Sequence, residues 1–121
     1  MNQEQMKMRT KEFGKQVISL CRQPPNTRET QLIGTQFFRA GTSVGANYRA
    51  ACRARSKADF SAELGILLEE TDESLYWLEI LAENRIMDAG FLEGLTHEAK
   101  QLLAIFVSSL NTAKRRAKRI S

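Results

Sequence analysis

The stretch SVGANYRAACRARSKADF, residues 43–60, decides the fold because it reads as the end of one helix, a turn and the start of another. Its first half places Ser, Gly and Ala where a surface helix ordinarily carries leucine, with Asn47 among them. Short side chains let a neighbouring helix approach closely. Ser56, followed three positions later by Asp59, is a capping-box pattern that leads into an apolar run. We therefore expect a tight helix–helix contact, a short turn and a new helix.

The rest of the chain repeats this pattern of amphipathic helices. Apolar residues spaced three and four positions apart predict four helices within one domain, 1–121. The predicted helices cover about 3–22, 27–51, 57–86 and 89–117, followed by a basic tail at 114–121. Pro24 and Pro25 end the first helix, and Asn26 and Asp88 are the expected caps of the second and fourth. Short connections favour an all-α fold, an antiparallel up-down-up-down four-helix bundle.

Each predicted helix has a line of residues that should face the core. The four inward lines are Met6, Thr10, Phe13, Val17 and Leu20; Ile33, Phe37, Ala40, Val44, Asn47 and Ala51; Phe60, Leu64, Leu67, Thr71, Leu75, Leu78 and Ala82; and Leu92, Leu95, Ala99, Leu102, Phe106, Ser109 and Ala113. Asn47 is the polar exception. We expect it to be buried and to fix the register of the helices, as interior Asn can; a contact with a ligand is the alternative.

Composition excludes several classes of protein. The 121 residues suffice for one hydrophobic core, and the apolar fraction of 42% is that of an average globular protein. No run approaches the roughly 18–20 apolar residues of a membrane span. The N-terminus carries no apolar signal-peptide core, so we expect a cytoplasmic protein without membrane association. Cys21 and Cys52 have neither metal-site spacing nor a disulfide framework around them.

Nothing in the sequence assembles a catalytic site. His97 is the only histidine, which rules out paired Glu-x-x-His motifs and leaves no His-based zinc site. The expectation is a non-enzymatic protein with no catalytic residues, metal or cofactor. Carboxylates on the third helix could bind Mg²⁺, but we expect them to meet arginines from neighbouring helices. Antiparallel pairing would bring Arg39 close to Asp72 or Glu73.

The net charge of +4 is divided unevenly along the chain. Residues 1–57 carry eleven Lys/Arg and three acids, residues 58–99 carry eleven acids and Arg85, and residues 100–121 carry six Lys/Arg and no acid. Such a division is typical of an acidic helix packed against basic ones, with basic charge left over; solvated faces that differ in sign are the alternative. The candidate contacts to nucleic-acid phosphates are Arg49, Arg53, Arg55, Lys114, Arg115, Arg116, Lys118 and Arg119.

The third and fourth helices carry more apolar residues than one buried stripe needs. The surplus predicts contact with further copies of the chain, since most oligomers are homo-oligomers. The candidate interface residues are Tyr76, Trp77, Ile80, Leu103, Ile105, Val107 and Leu110. Alternatively, Trp77 and Ile105 simply cover edges of the bundle.

Residues 39–81 resemble a known family. As a set, five features resemble those of the four-helix-bundle proteins encoded in intervening sequences of bacterial 23S rRNA genes. They are an arginine, a Ser-Val-x-x-Asn segment, a basic turn that contains serine, an aromatic residue at the start of the next helix and a glutamate further along that helix. The matching positions are Arg39, Ser43, Val44, Asn47, Ser56, Phe60 and Glu73. One departure is Ala50–Ala51, where many members have Glu-Gly. The resemblance covers about residues 13–110.

The resemblance implies a ring-like homopentamer. It also implies a relation to the accessory variability determinant protein of diversity-generating retroelements, a basic pentamer that binds nucleic acid and a reverse transcriptase. Two functions stay open at this point. One is an oligomer that binds structured RNA or DNA through phosphate contacts; the other is a ring whose charged rim meets a partner protein.

Overall fold

The computed structural model describes residues 1–23 and 27–120, with side chains up to Lys118. The helices are α1 (Gln3–Cys21), α2 (Arg28–Cys52), α3 (Lys57–Glu83) and α4 (Ala89–Ile120), and the described ranges contain no strand. Each helix packs along the next one in the chain. The predicted all-α four-helix bundle is confirmed.

The pairing of α1 with α2 shows the antiparallel arrangement and explains the small residues of the opening stretch. Gly45 lies against the backbone of Thr10, whereas nearer the other end of the pair the Cys21 thiol lies 3.8 Å from the carbonyl oxygen of Gly34. A methyl group at Gly45 would be 3.4 Å from the Thr10 carbonyl. The predicted tight helix–helix contact is therefore formed between α1 and α2.

The contact between α1 and α4 is the smallest between neighbouring helices, and one arginine spans it. Arg9 donates through Nε and Nη2 to the two carboxylate oxygens of Glu98, at 2.8 and 2.6 Å, and through Nη2 to Gln101 at 2.8 Å. The hydrogen bond to Glu98 raises the pKa of Arg9. This pair closes the bundle.

Helical periodicity predicts the core well. Every inward position of α1 is buried, as are most of those on the other helices. Thr30, Gly41, Ser74 and Leu81 are buried although the inward lines omit them. The buried hydroxyls of Thr10, Thr71 and Ser74 donate to carbonyl oxygens of their own helices, and that of Thr30 accepts from the Thr27 hydroxyl at 2.7 Å. Burying these polar groups therefore leaves none of their hydroxyls unsatisfied.

The helix boundaries follow local capping chemistry. The Ser56 hydroxyl accepts a hydrogen bond from the N–H of Asp59 at 3.0 Å, so the predicted cap of α3 is confirmed. The Asp59 carboxylate reaches back to the N–H of Arg55, at 3.3 Å, rather than to Ser56. Thr27 caps α2 by accepting from the N–H of Thr30 at 3.2 Å; the predicted cap, Asn26, lies outside the described residues.

Two helix ends differ from the predicted ends, which were residue 86 for α3 and residue 117 for α4. Helix α3 ends at Glu83 because Arg85 adopts a left-handed backbone with φ of 53°. The N–H of Ile86 then bonds to the carbonyl of Leu81 at 3.0 Å, which closes a Schellman-type end. The Asp88 carboxylate accepts from the N–H of Gly90 at 2.8 Å, which confirms it as the cap of α4. Helix α4 continues to Ile120, so residues 114–120 are its last turns rather than a separate tail.

No helix within the described residues is both long enough and apolar enough to cross a membrane.

Candidate functional site

A groove of about 450 Å³ follows the contact between α1 and α2. Small residues line its bottom, among them Gly14, Gly45 and Ala46. Five cations line it as well: Lys7, Lys11 and Lys15 from α1, and Arg49 and Arg53 from α2. None of the described residues that line the groove is acidic. The described lining of the groove therefore carries charge of one sign only.

The local sequence explains why these cations converge. Lys7, Lys11 and Lys15 are four residues apart, so they follow one face of α1 with a rise of about 6 Å between neighbours. Arg49 and Arg53 have the same spacing on α2. Gly45 lets the two helix backbones approach each other, and long side chains on either side rise above the contact. The same close contact between α1 and α2 therefore produces both the tight packing and a groove with cations on either side.

Most of this positive charge has no compensating acid. Lys7 pairs with Glu4 at 3.2 Å, and Lys15 pairs with Glu12 at 3.6 Å, both within α1. Lys11, Arg49 and Arg53 form no ion pair with any residue that the structure describes. A groove lined by one sign of charge concentrates the electrostatic potential, which favours binding of polyanions.

The other predicted phosphate contacts lie at the same end of the bundle, in separate places. Arg55 is exposed in the turn after α2. Arg116 lines a hollow of about 360 Å³ with Lys57 and Phe60, between α4 and the start of α3. Three more cations line a shallow hollow of about 910 Å³ on α4: Lys114, Arg115 and Lys118. The side chain of Arg119 lies outside the described residues.

We call this end of the molecule, where α2 and α4 finish, the basic end. We define it by Arg49, Arg53, Arg55, Lys114, Arg115, Arg116 and Lys118. All seven side chains are exposed, and six of them line three separate hollows rather than one continuous surface; their contact with phosphates stays a prediction. Sequence analysis missed the three α1 lysines. Their four-residue spacing was the available signal, and only the packing of α1 on α2 shows which residues they face.

A polar cluster joins α2 to α3 away from the groove. Arg39 donates to the carboxylates of Glu73 and Glu70, the latter at 3.3 and 3.4 Å. The Ser43 hydroxyl lies 3.1 Å from Glu70, and the indole N–H of Trp77 donates to Glu73 at 3.3 Å. The hydrogen bond to Glu73 raises the pKa of Arg39. The cluster thus unites three residues of the sequence motif.

The structure of α2 beside α3 decides two of the expectations from sequence. The predicted pairing of Arg39 with an α3 carboxylate is confirmed for Glu73, whereas Asp72 is exposed and does not pair with it. The expectation that Asn47 is buried is wrong. Asn47 is half-exposed, and its side chain forms no hydrogen bond with a described residue. It lies one turn beyond Ser43, at the edge of α2 next to α3, while Val44 and Ala51 fill the core.

The surplus apolar residues divide into two groups. Trp77, Ile105 and Leu110 are partly buried and pack against the core, so they cover edges of the bundle. Tyr76 is 52% exposed and Val107 39% exposed. Ile80 and Leu103 are half-buried on the same two helices. Ile66, which the sequence analysis did not single out, is 45% exposed on α3.

The described residues contain no group of three or more His, Cys, Asp or Glu side chains placed to hold a metal ion. His97 is exposed, and its ring nitrogen lies 2.8 Å from the side-chain amide of Gln101.

Four antiparallel helices without a strand in the described residues define the class of the fold, the all-α four-helix bundles. The family model described as 23S rRNA-intervening sequence protein matches residues 3–108, and the chain belongs to that family. The resemblance carried by residues 39–81 is therefore confirmed at the level of the family.

A solved structure supports the same assignment. It is a crystal structure of a protein of unknown function from the S23 ribosomal protein family of Bacteroides thetaiotaomicron. The two chains are 30% identical, and the match covers 92% of this chain and 99% of that one with a TM-score of 0.83. No curated protein matches the chain.

Proposed function

We propose that this protein is a non-enzymatic nucleic-acid-binding protein that contacts phosphates through its basic end. One observation carries the proposal. The arginines at the end of α2, Arg49 and Arg53, form no ion pair with the acidic helix α3, and among the described cations of α2 only Arg39 does so. If basic and acidic helices had neutralised each other, little positive potential would remain for a polyanion.

The chemistry of the surface favours phosphates over bases. Arginine and lysine neutralise phosphates and release their counterions, which supplies most of the affinity of sequence-independent binding. Few aromatic side chains lie among the cations, so base stacking contributes little. The family's description contains the words 23S rRNA-intervening sequence, and RNA is the first ligand that we propose.

A mobility-shift experiment with generic RNA and DNA tests the proposal. The wild type should shift both at about 50 mM salt and much less at about 200 mM, because binding weakens steeply with ionic strength. Replacing Lys114, Arg115 and Arg116 with glutamine should weaken the shift. The matched control replaces Arg22, Arg28 and Arg85 at the opposite end, removes the same charge and should bind as the wild type does. Absence of any shift at the lower salt would contradict the proposal.

A second candidate function is an interaction ring without nucleic acid. The exposed apolar residues Ile66 and Tyr76 on α3 favour it, because apolar side chains next to carboxylates suit a protein interface. We propose that this face contributes to a homo-oligomer, for which the family resemblance implies a pentamer. Oligomerisation is compatible with the first proposal, since a ring would repeat the basic end several times.

A further inference from the structure

We infer that the α1–α2 groove binds the phosphate backbone of a single-stranded segment of nucleic acid. This inference rests on the proposed function and assigns a particular place and strand type to it. It also assigns a role to Lys7, Lys11 and Lys15, which the basic end does not include.

The arrangement of the cations fits one strand. Lysines from α1 and arginines from α2 line the groove together, and the α1 row spans about 12 Å with a rise of about 6 Å between neighbours. That spacing is comparable with the separation of successive phosphates along a nucleic-acid strand. A single backbone can enter the groove and meet cations from both helices. A duplex is too broad to enter and would reach only the outermost side chains.

The bottom of the groove supports the same conclusion. Gly14, Gly45 and Ala46 line the groove, and none of them carries a long side chain that would obstruct it. Ile18 is the largest apolar residue that lines the groove, and no aromatic residue does so among those described. A strand bound here would therefore contact the protein through phosphates and sugars, and its base sequence would matter little.

Ala46 offers a sharp test because it is exposed and lines the groove. Ala46→Glu places a carboxylate among the five cations, whereas Ala46→Gln has nearly the same size without the charge. We expect Ala46→Glu to bind a fluorescein-labelled oligouridine of about 20 nucleotides at least about tenfold more weakly than Ala46→Gln does. The wild type should prefer this strand to a duplex of equal length, measured by fluorescence anisotropy at about 50 mM salt.

A second variant tests the same groove without introducing a carboxylate into it. Replacing Lys7, Lys11 and Lys15 with glutamine should lower the salt dependence of binding, with a slope of log K against log salt that is smaller by roughly 2. The control is again the triple replacement of Arg22, Arg28 and Arg85, which removes the same charge from residues that do not line the groove. Circular dichroism of each variant checks that the helices are retained.

The outcomes separate this inference from the proposed function. If the wild type binds neither strand nor duplex, the proposed function fails and the inference fails with it. If it binds both, and the α4 variant weakens binding while Ala46→Glu matches Ala46→Gln, only the groove assignment is overturned. The groove assignment is also overturned if polyglutamate displaces the strand at lower concentration than unlabelled oligouridine does. The same holds if Ala46→Glu dissociates an oligomer and leaves the affinity for the strand unchanged.

Discussion

Gly14 and Gly41 both lie at the α1–α2 contact, but they leave different amounts of room for a side chain. A methyl group at Gly41 would lie 2.6 Å from Cγ2 of Val17, a fully buried side chain that has no space to move into. At Gly14 the nearest atoms would be 3.8 Å away, on the backbone of Thr42, which is an ordinary contact. One glycine is required by packing and the other is not.

We therefore expect opposite effects from the same substitution. Gly41→Ala should lower the free energy of unfolding by about 1–3 kcal/mol, the usual cost of overpacking. Gly14→Ala should raise it by about 0.5–1 kcal/mol, because alanine favours the helix. Urea unfolding followed by circular dichroism measures both. A Gly41→Ala protein as stable as the wild type would show that the helices are not in close contact here.

Tyr48 should make stability depend on pH in the alkaline range. Burial of its ring, together with the nearby Cys52 thiol, raises the pKa of Tyr48 to about 12. The unfolded chain loses this proton near pH 10. Between about pH 10 and pH 12 the folded state therefore holds more protons than the unfolded state, and stability falls as pH rises.

Tyr48→Phe keeps the ring that stacks on Phe106, with centroids 6.2 Å apart in the wild type, and removes the titrating group. The free energy of unfolding of this variant should fall less than that of the wild type between about pH 10 and pH 12. Groups that do not interact with Tyr48 contribute equally in both proteins and cancel in the comparison. Identical falls would mean that the Tyr48 hydroxyl is as accessible in the folded state as in the unfolded one.

Residue positions were predictable from sequence wherever periodicity alone decides them. Each core position of α1 follows from the 3.6-residue repeat. The exposure of Asn47 could not be predicted in this way, because Asn47 falls at the margin of the buried stripe. There, a small rotation of the helix moves a side chain from the core to the α2–α3 edge. The spacing of apolar residues predicts the direction of a side chain only to within that rotation. Packing against the neighbouring helices determines the rotation itself.

At the scale of elements, the Arg9–Glu98 pair has a larger role than an ordinary surface pair because α1 and α4 otherwise make little contact. Its side chains are 20% and 26% exposed, and both carboxylate oxygens are used. A double-mutant cycle of Arg9→Met and Glu98→Gln should give a coupling of about 0.5–1 kcal/mol that decreases at high salt.

The exposed Lys15–Glu12 pair serves as the control for this cycle. Its atoms are 3.6 Å apart within one helix, and its coupling should be smaller, about 0.3 kcal/mol. A coupling for Arg9 and Glu98 no larger than this would show that the α1–α4 contact does not depend on the bidentate pair.

Helix order and length were largely predictable, whereas two helix ends and the groove were not. The end of α3 depends on the left-handed backbone of Arg85, a residue type that gives no signal for that conformation. The groove depends on which face of α1 packs on α2. The lysine spacing was visible in the sequence, but the arginines opposite those lysines are set by the register of the two helices.

At the scale of the whole molecule, topology gathers the positive charge. In an antiparallel bundle the C-termini of α2 and α4 lie at one end, and both helices finish in arginines and lysines. Cations at a helix C-terminus also complement its dipole, so part of this charge stabilises the helices themselves. The division of charge was evident from sequence; its concentration at one end follows from the fold.

Association between copies should depend on the exposed face of α3. We expect light scattering at micromolar concentration to give a multiple of the 13.7 kDa chain mass. Tyr76→Glu should shift the mass toward one chain, because it places a charge on an apolar contact. Gln16→Glu, a charge change at an exposed position of α1, should leave the mass unchanged. A wild type that remains monomeric under these conditions would contradict the proposed oligomer.

The salt dependence of RNA binding tests the central claim most directly, because it counts the phosphate contacts that the surface cations make. For the wild type with a single-stranded RNA, five groove cations alone predict a slope of log K against log salt of about −3.5, and the basic end makes it steeper. A slope shallower than about −1, or no binding at about 50 mM salt, would show that these cations do not bind nucleic acid.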